Sequence, residues 1–241
     1  MTELPRTGWE LSDRLIDALS QANDGRRYVG AEQGATWLED SCDRNSADTF
    51  HRAMEARRSV RRFGEASLEE ADLMAIIAAG WRSDNCLWAE YPDASPLGFL
   101  ILARRVHGLA PGAYRFLPDE ARLAWVAEVP DGDDLRLVVP MQPEFTSAAA
   151  MLITVGNIEA AWRSARARGY RELMVRVGAA TAAAWLKAVA IGLEGGMTAG
   201  VDPRILSRRT GLSDLTERAL LLLSIGVGLK RPTDTNTDAN S

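Results

Sequence analysis

Cysteine, histidine and lysine are scarce in this chain of 241 residues. It has two cysteines (Cys42 and Cys86), two histidines (His51 and His107) and two lysines (Lys187 and Lys230). So few sulfur and imidazole ligands cannot build a Cys/His zinc cluster, so no metal site is expected, and they argue against a disulfide-framed secreted domain. Long hydrophobic runs are also missing. The longest, around Met151–Val155 and Ala219–Leu229, fall well short of the ~20 residues a membrane helix needs. The opening MTELPRTGWE has no basic start and apolar core, so no export signal is visible. Positive charge is not in excess: 28 Lys and Arg against 33 Asp and Glu leave a formal charge of −5, which gives nucleic acid or an anionic membrane no net-charge attraction. The expectation is a soluble cytoplasmic protein.

What is present is an ordinary balance, 46% hydrophobic and 25% charged, at a length that suits one large or two small domains. The basic residues are nearly all arginine. That bias suits bidentate recognition of phosphate and carboxylate, and GC-rich coding produces it equally. Residues 1–45 read as a polar N-terminal extension with a helix around Asp13–Ala22, residues 46–231 as the ordered domain, and residues 232–241 as a disordered tail.

Within the domain, Ser46 caps a helix over Ala47–Ala56 with Phe50, Ala53 and Met54 on one face. Ser67 and Glu70 form a capping box opening a second helix, whose Leu73, Ile76 and Ile77 face inward and which Gly80 closes. Gly98–Ala103 is a continuous apolar run, expected of a strand buried on both faces. Ala113–Phe116 and Leu123–Val126 flank Pro118-Asp119 as a hairpin. Met151–Val155 is another buried strand, and a helical pattern runs from Ile158 to Ile191 with a small-residue centre over Gly178–Ala184. Asp202-Pro203 and Gly211 bracket a short helix, and Leu220–Val227 is a last strand. Helices lead, strands follow and a long helix lies between strands, which makes the fold class α+β.

Four local features carry chemistry. Arg57-Arg58-Ser59-Val60-Arg61-Arg62-Phe63 gathers guanidiniums and a hydroxyl at a helix end; it reads either as a phosphate cradle or as a solvated basic terminus favoured by the helix dipole. Arg168-Gly169-Tyr170-Arg171 places a tyrosine between cations, either as a proton-transfer group or as a packed ring beside solvated arginines. Gly192–Gly200 is a glycine-dense loop that lets backbone approach a flat ligand or simply ends the helix; it fits neither G-x-G-x-x-G nor Walker A. Lys230-Arg231 is a basic pair past the last strand, which reads equally as a terminal charge cluster that keeps the tail soluble. With no G-x-S-x-G elbow, a hydrolytic triad through Ser59 and His51 has little support.

Taken in order, these pieces resemble the nitroreductase superfamily. The Arg57–Phe63 segment, Arg104-Arg105-Val106-His107-Gly108-Leu109-Ala110-Pro111-Gly112-Ala113-Tyr114-Arg115-Phe116 (similar to a GL-x-PG-x-YRY strand), Arg168–Arg171, the alanine-rich helix to Leu193, and Leu222–Gly228 resemble more narrowly the SagB/McbC-type azoline dehydrogenases. The resemblance covers residues 46–230. It implies a central, mostly antiparallel sheet flanked by helices, an obligate homodimer with FMN at its interface, and oxidation of azoline rings to azoles in a ribosomally made peptide, with no metal.

By that resemblance Arg57, Arg58 and Ser59 hold the FMN phosphate and ribityl chain, and Arg61 reaches the pyrimidine side of the ring. Ala199 and Gly200 lie against the isoalloxazine, while Lys230 and Arg231 close the phosphate site. Tyr170 assists proton removal, with Arg168 and Arg171 beside it. The family's adjacent Lys-Tyr pair stands here as Gly169-Tyr170, and an arginine stays protonated and cannot itself be the base. The family's P-S-A-G-A segment stands as Asp93-Ala94-Ser95-Pro96-Leu97-Gly98. Residues 1–45 look too small for a leader-binding domain. Other readings are an NAD(P)H-dependent nitro- or quinone reductase, a cyclodipeptide oxidase, or a flavin-free scaffold subunit in a peptide-modifying complex.

Overall fold

The apolar runs become the middle of a six-stranded sheet. The computed structural model describes residues 51–88, 95–129, 132–213 and 215–229; the Asp13–Ala22 helix, the N-terminal extension, the tail, Lys230 and Arg231 lie outside these described residues. Residues 51–56 are helical (α1), followed by β1 (Leu68–Glu69), α2 (Glu70–Trp88), β2 (Gly98–Ala103), β3 (Val106–His107), β4 (Gly112–Leu117) and β5 (Arg122–Ala127). Then come α3 (Gly132–Val138), β6 (Ala150–Gly156), α4 (Ile158–Ala190), β7 (Glu194–Thr198), α5 (Pro203–Thr210) and β8 (Arg218–Gly226). The strand order is β5-β4-β2-β6-β8-β7, and every neighbouring pair in it is antiparallel. The α+β class and antiparallel sheet are therefore as expected.

Both sheet faces are covered, which is why antiparallel strands read as unbroken apolar runs rather than alternating ones. Phe99, Ile101 and Ala103 of β2 face α2 and α4, in one core with Leu73, Ile76, Ile77, Val177, Ala180 and Ala184. Leu100 and Leu102 face the other way, in a core with Leu135, Val138, Phe145 and Leu206. The hairpin β4–β5 turns through a 3-10 turn, Pro118–Glu120, as its Pro-Asp signal predicts. Asp202 accepts from the backbone N–H of Arg204 at 2.9 Å to open α5, and Gly211 closes it at φ +68°.

Other expectations are corrected. Met54 is exposed while Ala53 is buried. The strand β1, parallel to β3, occupies the two positions between Ser67 and the first helical residue, Glu70, so Ser67 does not cap α2. Gly80 does not end α2, which runs on to Trp88. A Cβ at Gly80 would lie 2.9 Å from the Ala180 carbonyl oxygen and 3.4 Å from the Ala184 Cβ; the glycine is there so that α2 can touch α4. The small-residue centre of α4 is thus used within the chain at Ala180 and Ala184. Gly80→Leu is expected to force these helices apart and remove about 1–3 kcal/mol in urea unfolding; an unchanged midpoint would contradict the contact.

The pattern Ile158–Ile191 is one element, α4, but it is broken by non-helical φ/ψ at Ala165 and Arg166, and a Cβ at Gly169 would fall 2.0 Å from the Ala161 carbonyl oxygen. Length and composition alone would let α4 cross a membrane. Its apolar face is instead packed on the sheet and α2, where Thr181 also meets Thr154 of β6 with hydroxyls 2.7 Å apart. A buried ion pair joins the two helices: Arg176 donates from Nε to Asp84 Oδ1 (2.8 Å) and from Nη2 to Oδ2 (2.7 Å). The N–H of Leu97, just ahead of β2, donates to the same carboxylate at 3.3 Å.

Candidate functional site

The glycine-dense stretch after α4 is not a loop but the edge strand β7, and the arginine-rich segment runs along its open side. Ser59 bridges Gly195 in parallel and Phe63 bridges Gly228 in antiparallel. Val60 N–H donates to the Gly195 carbonyl at 2.9 Å, Gly64 N–H to Val227 at 2.8 Å, and Leu229 N–H to Arg62 at 3.2 Å. A Cβ at Gly196 would meet the Val60 carbonyl oxygen at 2.4 Å and the Phe145 ring at 2.6 Å. The glycines therefore serve close approach of this segment rather than flexibility.

The segment is also held from behind. Arg105 Nη2 donates to the carbonyls of Gly64 and Ser147, each at 2.8 Å, and Phe63 N–H donates to Ser147 Oγ at 3.0 Å. Arg104 binds the carbonyl of Thr146; burial, then the neighbouring Arg105 charge, lower its pKa from the ordinary value. Tyr114, in the GL-x-PG-x-YRY-like stretch, donates to the Ala110 carbonyl at 2.7 Å, and burial followed by Glu70 raises its pKa. Its role is to hold the hairpin.

With the backbone pinned, the side chains differ in what they have left to offer. Arg58 Nη1 donates to the carbonyls of Glu55 (2.5 Å) and Arg57 (2.9 Å), the helix-end role that the alternative reading assigns. Arg61 is loosely paired with Glu144 at 3.8 Å and is 61% exposed. Arg57 is half-buried with its guanidinium carbon 4.6 Å from the centre of the Trp185 ring. Among the described residues its guanidinium makes no ion pair or hydrogen bond, so its side-chain N–H donors are unengaged. The exposed Ser59 hydroxyl is likewise without a partner there. A guanidinium and a hydroxyl with open donors, two positions apart in a segment pinned to β7, fit a phosphate.

Ala199 and Gly200 follow the far end of β7. Ala199 is exposed, and Gly200 N–H donates to Thr198 Oγ1 at 3.0 Å. Gly200 also borders a cleft of about 290 Å³ lined by Pro140, Met141, Val201, Arg204 and Arg218, in which Met141 is 79% exposed. Tyr170 is not with these groups. It lies fifteen positions before Trp185 on α4, about 22 Å along the axis at 1.5 Å per residue, and is 41% exposed. Arg168 Nε pairs with Glu172 Oε1 at 2.7 Å, which puts a carboxylate beside the tyrosine as well as cations; Arg171 is exposed. The chain thus gathers Arg57, Ser59 and β7 but leaves Tyr170 apart.

Trp185, Phe145 and Met141 belong to this region without having been singled out in the sequence, and Arg105 entered only as part of the GL-x-PG-x-YRY-like stretch. Trp185 sits inside an alanine-rich helical pattern as an ordinary core aromatic, and only its placement opposite Gly195 and Arg57 shows otherwise.

Residues 54–227 match the model of the nitroreductase family. A candidate nitroreductase of Methanocaldococcus jannaschii is 27% identical over 174 residues, 70% of this chain and 86% of that protein. A candidate nitroreductase of Anabaena variabilis shares the fold with a TM-score of 0.64 at 19% identity, over 75% of this chain and 38% of that one; this chain therefore spans well under half of the Anabaena protein's length. The E. coli microcin synthetase McbBCD complex, with truncated pro-MccB17 bound, contains a chain similar at a TM-score of 0.57 and 19% identity, covering 70% and 68% of the two chains.

Proposed function

The chain belongs to the nitroreductase family of flavin oxidoreductases, and on that premise we propose that it is an FMN-dependent dehydrogenase that oxidises azoline rings in a ribosomally made peptide to azoles. The observation that carries the flavin part is Arg57, whose guanidinium lies over the Trp185 ring with its side-chain donors unengaged among the described residues, two positions before Ser59, which bridges β7. The substrate class is supported by the motif resemblance and by the structural likeness to a chain of the microcin synthetase complex.

Bound flavin would supply the two-electron acceptor. The chain's own residues bind and orient. Arg57 and Ser59 engage the phosphate, with Arg58 and, past β8, Lys230 and Arg231 adding charge. Arg61 reaches the pyrimidine side of the ring, while Ala199 and Gly200 present backbone without bulk to its face. The cleft beside Gly200 leaves room for the substrate. Aromatisation drives the reaction forward, so holding the azoline ring in place is the main task.

Tyr170 enters this reading through a homodimer, as the group that relays the ring proton with Arg168 and Arg171 beside it. The exposed Trp162, Tyr170 and Val175 of α4 and the half-buried Ala179, Ala182 and Ala183 suit such a contact. Tyr170→Phe is expected to lower the rate of azole formation about 100-fold or more with FMN affinity unchanged; a rate within twofold of the parent would remove Tyr170 from the mechanism.

The test is incubation of the yellow protein with a thiazoline-containing peptide in air, read by loss of two hydrogens in the peptide mass. A second reading, a nitro- or quinone reductase, is favoured by the names of the Methanocaldococcus and Anabaena proteins. Consumption of NAD(P)H with a small acceptor, and no change in the peptide, would select it.

A further inference from the structure

We infer that Trp185 is a positioning residue for the cofactor site: its indole face holds the Arg57 guanidinium so that the donors of Arg57 meet the flavin phosphate. The inference rests on the flavin reading above and goes beyond it, because Trp185 itself touches no part of the phosphate.

Arg57 sits where the chain leaves α1, on a long side chain that loses much rotamer freedom when fixed. An arginine in such a place is usually oriented by a carboxylate, and among the described residues Arg57 has none. What it does have is the Trp185 ring, whose centre lies 4.6 Å from the guanidinium carbon. A guanidinium that lies flat on an indole keeps its in-plane N–H fork open, which is what a phosphate requires. A carboxylate partner would orient the arginine equally well but would neutralise it and occupy the same fork.

The platform is rigid. Trp185 is 5% exposed and lies on α4, braced against β7: a Cβ at Gly195 would approach its Nε1 to 2.9 Å and its Cδ1 to 3.0 Å. That indole N–H is buried and has no hydrogen-bond partner. Burying an unmet donor is unfavourable, so a phenylalanine would fill the space at less cost. What indole adds over phenyl is a stronger cation-binding face, and the Arg57 contact is the place where that face is used. The glycine at 195 is then needed to admit the ring of Trp185 beneath, while its neighbour Gly196 admits the Val60 carbonyl on the open edge.

The experiment measures Kd for FMN and for riboflavin, which lacks the phosphate, in the parent protein, Trp185→Leu, Trp185→Phe, Arg57→Ala and the double variant Arg57→Ala with Trp185→Leu. Trp185→Leu is expected to weaken FMN about tenfold and riboflavin less than twofold, and Trp185→Phe to weaken FMN only two- to threefold. In the Arg57→Ala background, Trp185→Leu should add nothing. Equal weakening of both flavins, or full additivity in the double variant, would show a general packing role and overturn the inference while leaving the flavin reading intact. A parent protein that binds neither flavin overturns both. Should Trp185→Leu fail to fold, Trp185→Phe decides alone: selective loss for FMN over riboflavin supports the inference, and identical affinities for parent and variant contradict it.

Discussion

Arg57→Ala is expected to weaken FMN binding about 30- to 150-fold and to leave riboflavin binding and the unfolding midpoint nearly unchanged. The magnitude follows from removing charge-assisted hydrogen bonds to a phosphate, worth about 2–3 kcal/mol. The selectivity follows from the structure, in which the Arg57 guanidinium lies over Trp185 and, among the described residues, carries no ion pair or hydrogen bond. Neighbouring arginines provide the control. Arg58 is already engaged with the Glu55 and Arg57 carbonyls and Arg61 is weakly paired with Glu144, so alanine at either position should weaken FMN less than Arg57→Ala does. Fluorescence quenching of free flavin gives these affinities directly. Equal effects at all three positions would mean a diffuse positive field rather than a built phosphate site.

The largest loss of stability is expected at the buried pair between α2 and α4. Asp84→Ala leaves the Arg176 guanidinium in a buried position without its carboxylate, and Arg176→Met leaves the Asp84 carboxylate with only the Leu97 N–H. Each is expected to remove about 3–5 kcal/mol, a large share of the 5–15 kcal/mol a domain usually has. Combining the two should recover most of that loss, because the penalty comes from the stranded charge rather than from the missing attraction. Denaturant unfolding of the two single variants and the double variant checks this. Simple addition of the single losses would contradict it.

The sheet was legible in the sequence because its central strands are buried on both sides, so each appears as a run such as Phe99–Ala103 or Met151–Val155 without needing knowledge of its partner. The short helix α5 was legible for a different reason: Asp202, Pro203 and Gly211 act on their own backbone. Features that depend on a distant partner were not legible. Gly80 reads as a helix end by itself and becomes a helix contact only when Ala180 lies opposite. Gly195 and Gly196 read as a loop, but they pair with β8 as a strand and are glycine because Trp185 and the Val60 carbonyl come within contact of them. The break at Ala165 and Arg166 leaves no proline or local charge pattern to mark it. Asp84 and Arg176 are ninety-two positions apart, and nothing local pairs them.

The candidate site divides the same way. The cluster at residues 57–61 could be singled out from residue types, but residue types could not rank Arg57 above Arg58; that ranking comes from which guanidinium the fold has already engaged. Tyr170 reads from its flanking arginines either as a proton-transfer group or as a packed ring, and the structure places it about four turns of helix from Trp185, so the proposed function reaches it only through a second subunit.

The most direct measurement is the visible absorption spectrum of the purified protein after addition of FMN and removal of the excess. The account predicts a yellow protein with the two bands of oxidised flavin, releasing FMN on heating, and a colourless Arg57→Ala, Ser59→Ala double variant under the same treatment. A parent protein that remains colourless in excess FMN, or a double variant as yellow as the parent, would contradict it.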